Sequence, residues 1–158
     1  MSVAFTKEGD AEAVAADLPD RPLSPHPNLV TASGLAQLDA ELTAARAAYD
    51  TAQAAGGIAV DRTAMARATR DLRYWSARRA SAQLVDRGDT ATVRFGGSVT
   101  FTRTDGSTGT YRITGEYEAD PAAGRIAYVA PVARALLGKS VGDPAIVTGQ
   151  SVEITAID

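Results

Sequence analysis

The chain contains no cysteine, which removes a disulfide framework, thiol chemistry and any cysteine-ligated zinc site. It has a single histidine, His26, set between Pro25 and Pro27. One imidazole with no second His and no Cys cannot anchor an ordinary zinc site, so His26 reads as a solvated linker residue. Ser24, Ser33 and Ser140 lack candidate His and acid partners, which removes a nucleophilic triad. No apolar run approaches the roughly 18 residues of a membrane-spanning helix. The N-terminal stretch lacks the basic-then-apolar pattern of a secretory signal, so the expected location is the cytoplasm. Aromatic residues are scarce, at 6%.

What is present is unevenly spread. The 158 residues carry 16 Lys and Arg against 19 Asp and Glu, a net charge of −3. Before Pro27 the acids Glu8, Asp10, Glu12, Asp17 and Asp20 outnumber the bases Lys7 and Arg21; from Asn28 onward the charge nearly balances. Direct nucleic-acid binding by bulk charge is therefore not expected. Residues 1–27 have few large apolar side chains and end in "PDRPLSPHP", whose four prolines forbid a continuing helix. The segment reads as a disordered acidic tail.

Residues 31–55 obey a helical rule. Leu35, Leu38, Leu42, Ala45, Tyr49 and Ala52 recur at spacings of 3, 4, 3, 4 and 3, a heptad-like stripe on one face. Thr31 suits the N-cap, and Gly56-Gly57 ends the run. Residues 61–85 repeat the pattern through Met65, Ala68, Leu72, Trp75, Arg79 and Ala82, with Arg79 a flaw in the stripe. Two such helices joined by a few residues pack antiparallel, as a coiled-coil finger over 28–86. Arg67, Arg70, Arg73 and Arg78 line the second helix as a basic face, read either as a solvated surface or as a contact for acidic or phosphate groups.

After Asp86 the hydrophobic period changes to two. "TATVRF", "SVTFTR", "GTYRITGEY", "RIAYV", "AIV" and "SVEITAI" read as short strands, with turns at Gly96-Gly97 and at Asp105–Ser107. "PVARALLG" reads as one short helix, with Pro131 in its first turn and Gly138 at its end. Residues 87–158 are thus expected to form a small antiparallel sheet with one short helix. The chain as a whole is α+β. Gly138-Lys139-Ser140 ends like a phosphate loop, but that pattern needs a glycine where Ala133 stands.

Residues 115–143, "GEYEADPAAGRIAYVAPVARALLGKSVGD", resemble the C-terminal domain of the GreA/GreB transcript cleavage factors. Glu118-Ala119-Asp120 and the run Pro131–Asp143 carry the likeness; Ala130 departs from it, since the family usually has Ser there. "VTASGLAQLDAEL", "LRYWSARRASAQLVD" and "VRFGGSVTF" extend the resemblance over residues 28–158. It implies an FKBP-like head that docks on RNA polymerase through Glu118, Asp120, Ala130, Pro131 and Arg134. It also implies a finger entering the polymerase secondary channel, where the basic face could meet the RNA 3′ end. Prolyl isomerisation would be analogy from fold alone.

The family's fingertip carries a pair of acids that help hold a polymerase-bound magnesium ion. Here the matching segment is "GGIAVDRTAM": the acid positions fall on Gly57 and Val60, and Asp61 is the only carboxylate, followed by Arg62. A single acid beside a cation is a poor magnesium ligand set. The expectation is a monomeric, non-enzymatic polymerase-binding regulator with no cofactor of its own and no membrane association. Two alternatives stand beside it. One is a weak transcript cleavage factor using Asp61; the other is an interaction module like the regulator of nucleoside diphosphate kinase.

Overall fold

The computed structural model describes residues 18–55 and 62–158. Two compact units divide the chain: residues 18–25 with Gln37–Ser81, and His26–Ala36 with Ala82–Asp158. The division differs from the boundaries expected at residues 27/28 and 86/87. The second unit takes in the segment before the first helix because β1 (Leu29–Val30) pairs in parallel with β2 (Gln83–Leu84). Gln83 N–H donates to the Asn28 carbonyl at 2.9 Å and Val85 N–H to the Val30 carbonyl at 3.0 Å. Those bonds also stop the second helix early: it was expected to run to residue 85, and residues 83–84 are strand instead.

The helices follow the stripes. α1 spans Ala32–Ala54 and α2 spans Arg62–Ala80. Thr31 caps α1, its Oγ1 accepting from Gly34 N–H at 3.1 Å, which satisfies a donor that the first turn leaves open. All the stripe positions are buried or half-buried, with Leu38, Leu42, Ala45, Ala68 and Trp75 the most enclosed of those in the first unit. Full burial of a side chain such as Leu38 stabilises by about 1.5–3 kcal/mol. The flaw in the second stripe, Arg79, is half-buried and forms an ion pair with Asp39. This contact joins the last turn of α2 to the early part of α1, the register of an antiparallel pair. Among the described residues, no helix is long and apolar enough to cross a membrane.

Residues 18–27 do not behave as the expected disordered tail. Arg21 lies over the Tyr74 ring and pairs with Asp71, and Asp20 pairs with Arg73. The rest of that tail, residues 1–17, and the finger-tip residues 56–61 lie outside the described residues.

The second unit is a five-stranded sheet in the order β5-β4-β3-β7-β6, formed by β3 (Ser98–Arg103), β4 (Thr108–Thr114), β5 (Arg125–Ala127), β6 (Pro144–Val147) and β7 (Gln150–Ile157). The sheet is mixed, not wholly antiparallel as expected, because β5 runs parallel to β4. The chain leaves β4 and passes through a 3-10 turn, Pro121–Ala123, before it returns along the sheet edge. α3 (Pro131–Leu136) packs beside β5 and β6. Val99, Phe101, Ile113, Leu136 and Ile154 fill the core. The expected Asp105–Ser107 turn joins β3 to β4, and hydrogen bonds from Ser107 hold the Asp105 carboxyl below the ordinary carboxylate range.

The expected strand at 90–95 is absent, although its alternation is real: Val93 and Phe95 are buried in the core. The backbone of Val93 bonds to the turn after α3, through Lys139 O at 2.8 Å and Gly138 N at 2.9 Å, and so never joins the ladder. Gly138, with φ of 79°, makes that turn in a conformation that favours glycine.

α3 begins without a side-chain cap, since Ala130 occupies the N-cap in an extended conformation. Ala130→Ser supplies the missing acceptor. It should stabilise the domain by about 0.5–1 kcal/mol, read as a higher urea midpoint with an unchanged m-value.

Candidate functional site

The segment between β4 and β5 turns the Glu118-Ala119-Asp120 motif two ways. Glu118 points inward and is 5% exposed. Its carboxylate accepts from Thr31 N–H at 3.1 Å, Ser33 Oγ at 3.2 Å and Gly115 N–H at 3.4 Å, and from the Thr31 hydroxyl. A buried carboxylate is costly unless its lone pairs are met by donors, and here they are. The negative group also sits at the start of α1, where the helix dipole favours it.

Two glycines make room for this arrangement. A Cβ on Gly34 would stand 2.2 Å from Glu118 Cδ, and one on Gly115 would stand 2.2 Å from the Leu29 carbonyl oxygen. Tyr128 adds a further tie, donating its hydroxyl to the Pro27 carbonyl at 2.7 Å. Burial, then the nearby Glu116 carboxylate, pushes the Tyr128 hydroxyl above the ordinary tyrosine value, so it stays a donor.

Asp120 points outward. It is exposed, and Arg125 braces it through an ion pair at 3.5 Å and two backbone hydrogen bonds. Arg125 also donates from Nε to the Glu118 carbonyl at 3.0 Å. Ala130 is half-buried against the core, whereas Pro131 and Arg134 are exposed on α3. Asp120 therefore precedes the edge strand β5, and Pro131 and Arg134 follow it. Of the five residues read as a docking set, Asp120, Pro131 and Arg134 are exposed to solvent. The Glu118 side chain does not; it is committed inside the domain.

The residues of the basic face also divide. Arg67 and Arg73 are exposed, Arg70 pairs with Asp71 at 3.1 Å, and Arg78 is only 6% exposed. Arg78 thus leaves the expected solvated face, since its place on α2 puts it beside the buried Trp75. Gly57, Val60 and Asp61 lie outside the described residues. Gly34, Gly115 and Arg125 carry no chemical signal of their own in the sequence; their roles come from neighbours far along the chain or across a turn.

Residues 88–158 match the family model described as transcription elongation factor, GreA/GreB, C-terminal. Residues 88–158 thus carry a GreA/GreB C-terminal domain. The transcription elongation factor GreA of Methylobacterium sp. (strain 4-46) is 54% identical over 52 residues, covering 30% of this chain and 33% of that relative. GreA of Rickettsia felis is 38% identical over 86 residues, covering 50% of this chain and 53% of the relative. The chain thus spans between a third and about half the length of these curated relatives. Among solved structures, GreA factor homolog 1 of Thermus thermophilus aligns at a TM-score of 0.40 and 17% identity, over 84% of this chain and 99% of that one. This domain assignment rests on the sequence match over residues 88–158.

In this GreA/GreB domain, Glu118→Ala strands buried donors and should cost roughly 2–4 kcal/mol in denaturant unfolding. Glu118→Gln should also destabilise, because it turns an NH2 group toward those donors. Gly34→Ala should fail in the same direction for lack of space. Asp120→Ala, at an exposed site, should leave stability within about 0.5 kcal/mol of the parent.

Proposed function

We propose that this protein is a transcription elongation factor that binds RNA polymerase, occupies its secondary channel with the helical pair, and does not stimulate transcript cleavage. The observation that carries the reading is the GreA/GreB match over residues 88–158, where Pro131 and Arg134 stand exposed beside β5. Curated relatives similar to parts of this chain are named as elongation factors.

The proposed lack of cleavage is argued from the tip sequence. Between Gly56 and Met65 the acids reduce to Asp61, with Arg62 next to it. Magnesium prefers several hard oxygen ligands in octahedral array, and an adjacent guanidinium opposes the metal's charge. On this reading the protein performs no chemistry itself and needs no cofactor. It acts in the cytoplasm by occupying space, excluding cleavage-competent relatives or altering nucleotide access.

The test uses purified bacterial RNA polymerase and a cleavage-competent GreA protein. Added to stalled elongation complexes, the protein should suppress GreA-dependent RNA shortening and cause none itself. Arg134→Glu should weaken polymerase binding about tenfold and reduce this competition in proportion. RNA shortening that disappears in Asp61→Ala would establish the protein as a cleavage factor instead. Failure to bind polymerase, with capture of another protein from lysate, would favour the interaction-module reading.

A further inference from the structure

Residues 18–25 read Leu-Pro-Asp-Arg-Pro-Leu-Ser-Pro, with Pro19, Pro22 and Pro25 three positions apart. Three is the period of a polyproline II helix, which makes no hydrogen bonds within its own backbone. The segment forms neither helix nor strand, and it belongs to the same compact unit as α2. Arg21 places its guanidinium 3.8 Å from the Tyr74 ring centroid and 5.2 Å from that of Trp75. The two rings meet edge to face at 4.8 Å. The same guanidinium donates to Asp71 at 3.5 Å, while Asp20 pairs with Arg73 at 3.3 Å.

These contacts have a direction and a weakness. The two ion pairs have opposite polarity, so a reversed segment would set like charges together. An aromatic surface beside a carboxylate is the chemistry that receives a proline-rich, arginine-bearing strand. Yet the seat is incompletely filled. A cavity of about 250 Å³ remains, lined by Asp20, Arg21, Leu23, Arg73, Tyr74 and Ala77, and Leu23 is 52% exposed. The Asp20–Arg73 pair is exposed and screened by salt, and the half-buried Arg21–Asp71 contact is long at 3.5 Å, so the segment is attached by contacts that can exchange.

We propose that residues 18–25 are a releasable strap, seated in cis on the Asp71–Tyr74–Trp75 face of α2 in the free protein and displaced when RNA polymerase engages that face. Arg21 occupies a cradle built for a guanidinium, which an arginine on the polymerase surface takes over. The proposal rests on the polymerase-binding function above. A strap closed in roughly three of four molecules lowers apparent affinity about fourfold.

Trp75 is the only tryptophan and reports on the seat directly. In the full chain, Arg21→Ala should raise the accessibility of Trp75 to acrylamide quenching and tighten polymerase binding about fourfold. Added salt should shift Trp75 quenching in the parent toward that of Arg21→Ala. Tyr74→Ala should weaken polymerase binding, since the cradle itself is lost. Unchanged Trp75 quenching in Arg21→Ala overturns the strap. Unchanged or weakened polymerase binding by that variant overturns the gate, because the segment is then a fixed part of the surface. If neither parent nor variant binds polymerase, the functional reading falls and the proposed occupant with it, whatever Trp75 reports.

Discussion

The buried carboxylate of Glu118 organises the second unit. A charge withdrawn from water is tolerated only when donors replace the solvent, and the Thr31, Ser33 and Gly115 groups do so. Those donors come from the start of α1 and the end of β4, which are far apart in sequence. Their convergence, with the β1–β2 pairing, explains why residues 26–36 belong with the C-terminal unit and why Gly34, against the Glu118 carboxyl, has no room for a Cβ. It also explains how a three-residue motif serves two purposes. Glu118 holds the interior, and two positions later Asp120 faces solvent, braced by Arg125.

The parts of this fold legible in the sequence were those set by short-range periodicity. The two stripes fall on sheltered positions throughout α1 and α2, Thr31 caps α1 as its side chain suggests, and Pro131 and Gly138 bracket α3. Periodicity reports which side chains are sheltered, not what the backbone bonds to. Val93 and Phe95 alternate like a strand and are buried like one, but the hydrogen bonds of Val93 go to the turn after α3. Residues 83–84 lie inside the expected second helix, while Asn28 and Val30 draw that backbone into a parallel pair. The parallel setting of β5 has the same origin, a long-range pairing that no local pattern encodes.

The candidate site was legible in composition but not in the orientation of its side chains. Its motif residues were recognised by type and spacing, and their division into inward and outward groups depends on three-dimensional neighbours. Glu118 entered the docking set through the resemblance alone, yet its side chain is buried. Arg78 looked like a member of a solvated row because its spacing from the other arginines fits a helix face, yet it is buried. Arg21 stood in a proline-rich stretch with no hydrophobic pattern, and nothing local showed that Tyr74 would receive it.

Among the described residues, the buried core of the second unit is made of side chains from Val93 to Ile154. Glu118 and Arg21 differ in how their contacts are held. A buried carboxylate cannot leave its donors without stranding them, whereas the half-buried Arg21 guanidinium, already close to water, exchanges Tyr74 and Asp71 for water at lower cost. Contacts of the first kind define the fold, and contacts of the second kind are open to a partner's competition.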